Sequence, residues 1–192
     1  MGNLKERQQQ LRREAILEAA QHLLEQQGYA SFNMDELASQ VGISKATLYQ
    51  DFSSKDELAV QVVLQRMKEG EATLRDVAAS LPPIEKLERI LRFSIQKRIH
   101  MAVTRFVLPP HLREEPLIVE RRTRAIEGLT MTIEAAKADG SIRKELPTSV
   151  IICMFFSFFS PNNEELLRDE VVTPEELSEA LVSIFMNGIC SK

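Results

Sequence analysis

FNMDELASQVGISKATLYQDFSSKDEL, residues 32–58, carries the helix-start and helix-stop signals that decide the fold. Asn33 and Ser54 each precede a Glu by three residues, which is the spacing of a capping box, and Ser44 is also a residue type that favours an N-cap. Gly42 lies where a tight turn after a helix needs a positive φ. The stretch therefore predicts a short helix ending at Gly42, a second short helix opening at Ser44, and a long helix opening at Ser54.

The apolar residues of this stretch predict that the two short helices cross and share a small core. These residues are Leu37, Ala38, Val41, Ile43 and Leu48. Two helices joined by a tight turn form a helix-turn-helix, whose second helix enters the DNA major groove with its N-terminal residues toward the base edges. We expect Phe52 in the core, while the ring of Tyr49 could lie in the core or outside it.

Outside this stretch, apolar residues recur at three- and four-residue spacing, which predicts an all-α fold. The first helix is expected over about 11–27, after a polar arm at 1–10, and Gly28 is placed to end it. Thr173 has the residues of a capping box after it and is the expected N-cap of the final helix. The longer amphipathic helices are expected over residues 84–104, 117–138, 148–160 and 174–189.

The composition sets few limits on function. The chain has 192 residues, of which 44% are hydrophobic and 27% are charged, an ordinary balance for a globular protein with one or two domains. The net charge of −4 gives no prior for nucleic-acid binding, so that function needs a local argument. Cys153 and Cys190 form no CxxC pair, and the sequence has neither a secretory signal nor an apolar run of about 20 residues. We expect a soluble cytoplasmic protein with reduced thiols.

An enzyme is the opposing class of protein. The histidines are His22, His100 and His111, and their separation is not the four-residue helical step of a zinc site. No G-x-S-x-G, Walker or dinucleotide-binding fingerprint occurs in the sequence. We therefore expect no catalytic residues, no metal and no cofactor.

Residues 13–58 resemble the DNA-binding domain of TetR-family transcriptional regulators. The resemblance rests on an ordered set: an apolar first helix, Gly28, an N-capped helix containing Leu-Ala, then VGISKATLY and F-x-S-K-x-E-L. It implies that some residues hold DNA phosphates, namely Lys45, Thr47, Tyr49 and Lys55. It implies that others face bases, namely Ser44, Ala46 and Gln50, although Lys45 could serve either purpose.

Asp51 departs from this pattern, since the family usually has Tyr or His at the matching position. A carboxylate near DNA phosphates repels them unless it pairs with a cation, and we expect Lys45 or Lys55 as its partner. The cations of the N-terminal arm, from Lys5 to Arg13, either reach the DNA or belong to a solvated tail. The sequence leaves both possibilities open.

The final helix, EELSEALVSIFMNGI, resembles the last dimer-forming helix of the same family. The resemblance implies a homodimer through a four-helix bundle made by about 148–160 and 174–189 of each subunit. The residues expected against symmetry mates or neighbours in such a contact are Phe155, Phe158, Leu181, Ile184 and Phe185. Two helix-turn-helix units in a symmetric dimer read a palindromic operator in double-stranded DNA.

A small hydrophobic or amphipathic effector is also implied, bound between helices 84–104 and 117–138. Apolar pockets of this kind lie between helices of bundles. The candidate lining residues are Ile95, Ile99, Phe106, Ile126, Leu129, Thr130 and Phe156. For each of them, plain core packing is the competing interpretation.

The function predicted from these observations is that of a ligand-responsive repressor. Residues 1–55 are the predicted DNA-binding domain, and residues 56–192 the predicted effector-binding and dimerisation domain. The alternative is an activator of the same type, or a DNA-bound regulator with a protein partner and no small-molecule effector. A helical bundle without a cavity would favour that alternative.

Overall fold

The computed structural model describes residues 4–78, 80–102, 106–158 and 172–191, and within them all side chains except those of 76–78 and 100–102. Every regular element in these ranges is helical, which confirms the all-α prediction. The α-helices are α1 (Leu4–Ser31), α2 (Met34–Val41), α3 (Lys45–Asp51), α4 (Lys55–Ala78), α5 (Pro83–Ala102), α6 (Pro116–Ala138), α7 (Thr148–Ser157) and α8 (Pro174–Ile189), with a 3-10 turn at Pro110–Leu112. The ends of two predicted helices, at 103–104 and 159–160, lie outside the described residues.

The helix-turn-helix begins and ends at the predicted cap residues. The side chain of Asn33 accepts a hydrogen bond from the backbone N–H of Asp35 at 2.8 Å, and the Ser44 hydroxyl accepts from that of Thr47 at 3.1 Å. Gly42 follows α2 in the left-handed conformation, with φ 75° and ψ 31°. These caps satisfy backbone groups that the short helices leave unpaired, and they fix the turn between α2 and α3.

The glutamates of the predicted capping boxes bond to other donors. The Ser54 hydroxyl accepts the backbone N–H of Glu57 at 3.0 Å, but the Glu57 carboxylate accepts from the backbone and hydroxyl of Ser53. The Glu36 carboxylate accepts from the side-chain amide of Gln27 at 2.9 Å. The first half of the predicted box is therefore present at Ser54, whereas Asn33 caps the N–H of Asp35 instead of that of Glu36. In neither case does the glutamate bond back to the N-cap residue.

The first helix begins at Leu4 rather than near residue 11. Gly28 interrupts it with φ 76°, and helical residues continue to Ser31. Residues 4–10 are mostly Lys, Glu, Arg and Gln, which are good helix formers. They carry too few apolar residues to show a helical period, so the sequence pattern indicated an arm where the structure has helix.

Residues 1–69 and 104–120 form the first of two compact units. Its core surrounds the helix-turn-helix, and the fully buried side chains there include Ile16, Leu24, Leu37, Leu48, Phe52 and Leu58. Phe106 joins this core from the segment that follows α5. Leu112 and Ile118 pack with Ala59 and Val60 in a neighbouring cluster. The unit is therefore discontinuous in sequence.

Residues 70–103 and 121–192 form the second unit. In it α8 packs against α5 and α7. Its core includes Leu87, Leu91, Ile95, Ile133, Ile151, Phe155 and Phe185. The predicted capping box at Thr173 opens α8 with both of its hydrogen bonds in place. The α6–α7 connector pairs with the end of the chain, since the N–H of Arg143 donates to the carbonyl of Ile189 at 3.0 Å.

None of the helices in the described ranges is both long enough and apolar enough to cross a membrane.

Candidate nucleic-acid interface and effector cavity

One face of α3 is exposed while the opposite face is buried. Leu48 is fully buried in the core of the first unit, and Phe52, just after the helix, is also fully buried, as the sequence predicted. The exposed side chains are those of Ser44, Lys45, Ala46, Tyr49 and Gln50, and Thr47 is half-buried. The structure thus gathers six of the seven predicted DNA-binding residues on a single short helix and its N-cap.

Polar contacts hold the front of this face in place. The hydroxyls of Ser44 and Thr47 lie 2.8 Å apart. The Lys45 ammonium forms an ion pair with Asp35 of α2 at 2.8 Å, and both side chains are more than half exposed. Since an exposed pair of this kind contributes little to stability, a competing anion could replace Asp35.

Lys55, the seventh predicted residue, lies at the start of α4. Its ammonium is 4.5 Å from the centre of the Tyr29 ring and donates to the carbonyl of Ala30 at 3.3 Å. A cation over an aromatic face is held without losing its charge. Lys55 is therefore positioned by α1 and not by the helix-turn-helix itself.

Asp51 pairs with Arg12 of α1, and the prediction that it pairs with Lys45 or Lys55 was wrong. Arg12 donates through Nε to one carboxylate oxygen at 2.6 Å and through Nη2 to the other at 3.1 Å. The reason is geometric: Asp51 points into the interior of the first unit, where it is 4% exposed, and α1 lies there. Hydrogen bonding from Arg12 lowers the pKa of the Asp51 carboxyl despite the opposing effect of burial.

A second arginine of α1 binds the end of α3. Arg13 donates from its guanidinium to the backbone carbonyl of Asp51 and lies 4.4 Å above the centre of the Phe52 ring. A cation at a helix C-terminus interacts favourably with the unpaired carbonyls there. The sequence indicates Arg12 and Arg13 only as arm cations, because the residue pattern of α1 does not reveal which helix they face.

The start of α4 carries a further polar cluster within the first unit. The Tyr29 hydroxyl donates to Asp56, and His111 of the 3-10 turn lies 3.4 Å from the same carboxylate. The hydrogen bond from Tyr29 lowers the pKa of Asp56. Burial, followed by the bond to Asp56, raises the pKa of Tyr29 to about 12.

The second unit contains a cavity of about 450 Å³ walled by α4, α5, α6 and α7. Its apolar lining includes Leu74, Ile90, Ala125, Leu129, Phe155 and Phe156. The charged residues at its wall are Glu71, Arg75 and Lys86. Glu71 is already paired with Arg121 at 2.8 Å. The volume and the apolar lining with few polar groups are typical of a small-molecule site.

Two of the seven predicted pocket residues, Leu129 and Phe156, line this cavity. Ile95 is buried in the core of the second unit, and Ile99 packs against that core. Phe106 lies instead in the core of the first unit, because the segment after α5 returns to it. Ile126 and Thr130 are half-buried on α6, where the Thr130 hydroxyl donates to the Ile126 carbonyl at 2.8 Å.

The sequence did not indicate Arg75 or Lys86 as cavity residues, since charged residues on amphipathic helices are usually solvated. Neither His22 nor His111 lines this cavity, and the side chain of His100 lies outside the described residues. Within the described part of the chain, no cluster of three or more potential metal ligands occurs.

Apolar side chains are exposed on α7 and α8. Val150 and Met154 are 50% and 47% exposed on one face of α7, and Ile184 is 62% exposed on α8. Phe155 and Phe185 are buried within the protomer and contact each other edge to face at 6.1 Å. Of the five residues predicted for a dimer contact, Phe158 and Leu181 also pack against the core of the second unit, so only Ile184 is exposed.

In this chain the second helix of the helix-turn-helix faces outward, and the second unit contains an apolar cavity. Residues 16–62 match the family described as bacterial regulatory proteins, tetR family. The match covers the helix-turn-helix and the start of α4, and it confirms for this part of the chain the resemblance predicted over residues 13–58.

Relatives include the uncharacterized HTH-type transcriptional regulator YvaF of Bacillus subtilis, 41% identical over 78 residues, or 40% of each chain. The HTH-type transcriptional activator FasR of Mycolicibacterium smegmatis is 49% identical over 55 residues, 29% of this chain and 25% of FasR. The chain therefore spans well under half the length of these relatives, which are named as transcriptional regulators and not as enzymes.

The fold is shared with solved structures. The transcriptional regulator FadR from Bacillus subtilis, solved in complex with stearoyl-CoA, superposes with a TM-score of 0.74 over 92% of this chain and 98% of FadR. The two chains are 17% identical, so this likeness shows the fold alone.

Proposed function

We propose that this protein is a ligand-responsive transcriptional repressor that binds a palindromic operator as a homodimer. The observation that carries the proposal is the exposed face of α3, which is held by a closed core and by caps at both sides of the turn. A helix fixed in this way is suited to the DNA major groove, and two copies about 34 Å apart read successive grooves. Contact with chromosomal DNA implies action in the cytoplasm.

Within the proposed interface, residues take two roles. Ser44, Ala46 and Gln50 face base edges; the Gln50 amide is suited to adenine and the Ala46 methyl to thymine. Phosphates are bound by Lys45, Thr47, Tyr49 and Lys55. In this scheme Lys45 exchanges Asp35 for a phosphate, and the exposure of both side chains makes that exchange inexpensive.

The DNA-binding proposal is tested with duplexes that the full-length protein enriches from a randomised pool. Gln50→Ala is expected to relax the preference for one or two base pairs, while Lys55→Ala weakens binding to all duplexes and lowers the salt slope by about 1. Gln40→Ala, which removes an exposed amide from α2, is the matched control. Failure of the wild type to enrich any duplex would refute the proposal.

The proposed effector is an amphipathic molecule with an apolar body and an anionic end. The apolar lining of the cavity supports the first part, and Arg75 and Lys86 at its wall support the second, because Glu71 is compensated by Arg121. FadR, which shares the fold, was solved with stearoyl-CoA, an amphipathic anion. The effector is proposed to prefer a form of the dimer that does not bind DNA, and operator DNA then weakens effector binding by the same factor.

The effector proposal is tested by thermal unfolding with fatty acids and with alcohols of equal chain length. A ligand at about 100 times its Kd stabilises the folded protein by about 2.7 kcal/mol. The acids are expected to raise the melting temperature more than the alcohols, and Lys86→Gln is expected to reduce that difference. Equal shifts for both series would exclude the anionic end, and no shift for either would exclude this ligand class.

The proposed dimer interface uses the exposed apolar faces of α7 and α8. Val150, Met154 and Ile184 are exposed there, whereas Phe155 and Phe185 are occupied within the protomer. Ile184→Glu is expected to shift the protein from dimer to monomer in analytical ultracentrifugation. Met131→Glu, which alters a side chain 74% exposed on α6, is the matched control and should leave the dimer intact.

In functional terms we propose residues 1–55 as the DNA-binding domain and residues 56–192 as the effector-binding and dimerisation domain. The second candidate is an activator, because FasR, which is similar to this chain over 55 residues, is named a transcriptional activator. A reporter gene placed behind the enriched operator separates the two, since a repressor lowers its expression and an activator raises it. The cavity favours a small-molecule effector over a purely protein-partnered regulator.

A further inference from the structure

A buried carboxylate and a partly exposed guanidinium meet at the C-terminal end of α3. The Asp51 side chain is 1% exposed and the Arg12 side chain is 36% exposed, and their nearest atoms are 2.6 Å apart. The group that an approaching molecule meets at this place is therefore the guanidinium and not the carboxylate.

The geometry of the pair leaves donors of Arg12 for another acceptor. Its Nε and Nη2 bind the two carboxylate oxygens of Asp51 as a fork. A guanidinium has five N–H donors in one plane, so the two on Nη1 and the second on Nη2 point away from this carboxylate. A fixed guanidinium with paired free donors is well suited to a phosphate group.

Neighbouring side chains contact the Arg12–Asp51 pair and act on the negative charge of Asp51. The Gln9 amide lies 3.5 Å from a carboxylate oxygen of Asp51, and Arg13 donates to the carbonyl of the same residue. Arg12 and Arg13 both act on the Asp51 carboxylate, and the Glu57 carboxylate also lies near enough to Arg13 to interact with it.

Asp51 is the last residue of α3 and directly follows the exposed Gln50. We propose that Arg12 is a phosphate-binding residue at the C-terminal flank of the DNA-binding helix, and that Asp51 positions it. The inference rests on the proposed DNA binding by α3 and adds α1 to the contact surface. Asp51 does not repel the DNA in this arrangement, because its charge is buried behind the guanidinium that it holds.

The test measures binding of the full-length protein to an enriched duplex across a series of salt concentrations. Arg12→Gln is expected to weaken binding about tenfold at low salt. It should also lower the magnitude of the slope of log K against log salt by about 0.9 per protomer, because one phosphate contact is lost. A purely structural pair would change the melting temperature and leave the slope unaltered.

Asp51→Asn separates positioning from simple neutralisation. It keeps the charge of Arg12 but removes the anion that orients it, and we expect weaker binding even though the protein becomes more positive. Arg121→Gln breaks the ion pair with Glu71 in the second unit and is the matched control, expected to leave the slope unchanged.

An unchanged slope in Arg12→Gln overturns the inference, and so does tighter binding by Asp51→Asn. If the wild type enriches no duplex, both the proposed DNA binding and this inference are refuted. If it enriches a duplex but the slope is unchanged in Arg12→Gln, only this inference is refuted. A measurement on the wild type covers the case in which either variant fails to fold. The Nε–Hε resonance of Arg12, assigned by its absence in Arg12→Lys, should shift on adding the duplex, and an unmoved resonance overturns the inference.

Discussion

The two units of the chain use their interiors in different ways. In the first unit, side chains close the core, and the polar groups near α3 are bound to one another through Asp51, Arg12 and Arg13. In the second unit, apolar side chains such as Leu129 and Phe156 line a cavity of about 450 Å³ among the described residues. Under the proposed function, the DNA-contacting surface of the first unit benefits from a rigid support, whereas the second unit needs room to receive a ligand. The same type of substitution should therefore have different effects in the two units.

Removing a phenylalanine ring should distinguish them most strongly. Phe52→Ala removes a fully buried side chain beneath α3 and is expected to lower the free energy of unfolding by about 3–5 kcal/mol. Phe156→Ala trims a cavity wall that is 42% exposed, and is expected to stay within about 1 kcal/mol. Urea unfolding of both variants measures the difference. Similar losses in the two variants would contradict the contrast between a closed and an open interior.

Asp51→Asn tests the polar support of α3 and should cost roughly 1–2 kcal/mol at neutral pH, because a buried carboxylate loses its charged hydrogen bonds. The folded-state pKa of Asp51 is lowered, so the stability that it provides is complete above the unfolded pKa and lost as pH falls through the folded pKa. The difference between wild type and variant should therefore be constant at neutral pH and shrink below about pH 4. Urea titrations at several pH values measure it, and a difference that grows on acidification would refute the assignment.

Alanine in place of glycine should have opposite effects in the two units. Gly42 has φ +75°, so Gly42→Ala is expected to destabilise by about 1 kcal/mol through backbone strain, although no atom lies within 4 Å of the added Cβ. Gly128 lies within α6 with equally open space around its Cβ, and Gly128→Ala should stabilise by roughly 0.5–1 kcal/mol. Melting temperatures that move in the same direction would contradict this prediction.

The smallest expected effect concerns Tyr29. Tyr29→Phe removes the hydroxyl that hydrogen-bonds Asp56, so the pKa of Asp56 is expected to rise toward its ordinary value. Carboxyl carbon shifts followed by NMR across an acid titration measure this change. Tyr49→Phe, on the exposed face of α3, is the control and should leave the Asp56 titration as in the wild type.

Local signals were sufficient to predict the caps of the helix-turn-helix. Asn33, Ser44 and Thr173 each bind a backbone N–H two or three residues later, so their role depends on a few neighbouring residues. The left-handed turn at Gly42 was predictable for the same reason. These features were predictable because they do not depend on contacts between segments that are distant in the sequence.

The partner of Asp51 could not be predicted from the sequence, because Arg12 lies 39 residues away on another helix. Lys45 and Lys55 were expected because they are close in sequence, but contacts with Asp35 and Tyr29 engage them instead. The core that contains Phe106 could not be predicted for the same reason. Its apolar side chain is suited to either core, and only the path of the chain after α5 decides between them.

The discontinuity of the first unit has a consequence for building hybrid regulators. Because residues 104–120 supply Phe106, Leu112 and Ile118 to the cores around the helix-turn-helix, the N-terminal 69 residues alone lack part of their own interior. A recombinant fusion that joins this DNA-binding head to the sensing portion of another regulator should carry residues 104–120 with it. The chain passes from one unit to the other at three places, near residues 69, 103 and 120, and the first and last of these lie within α4 and α6.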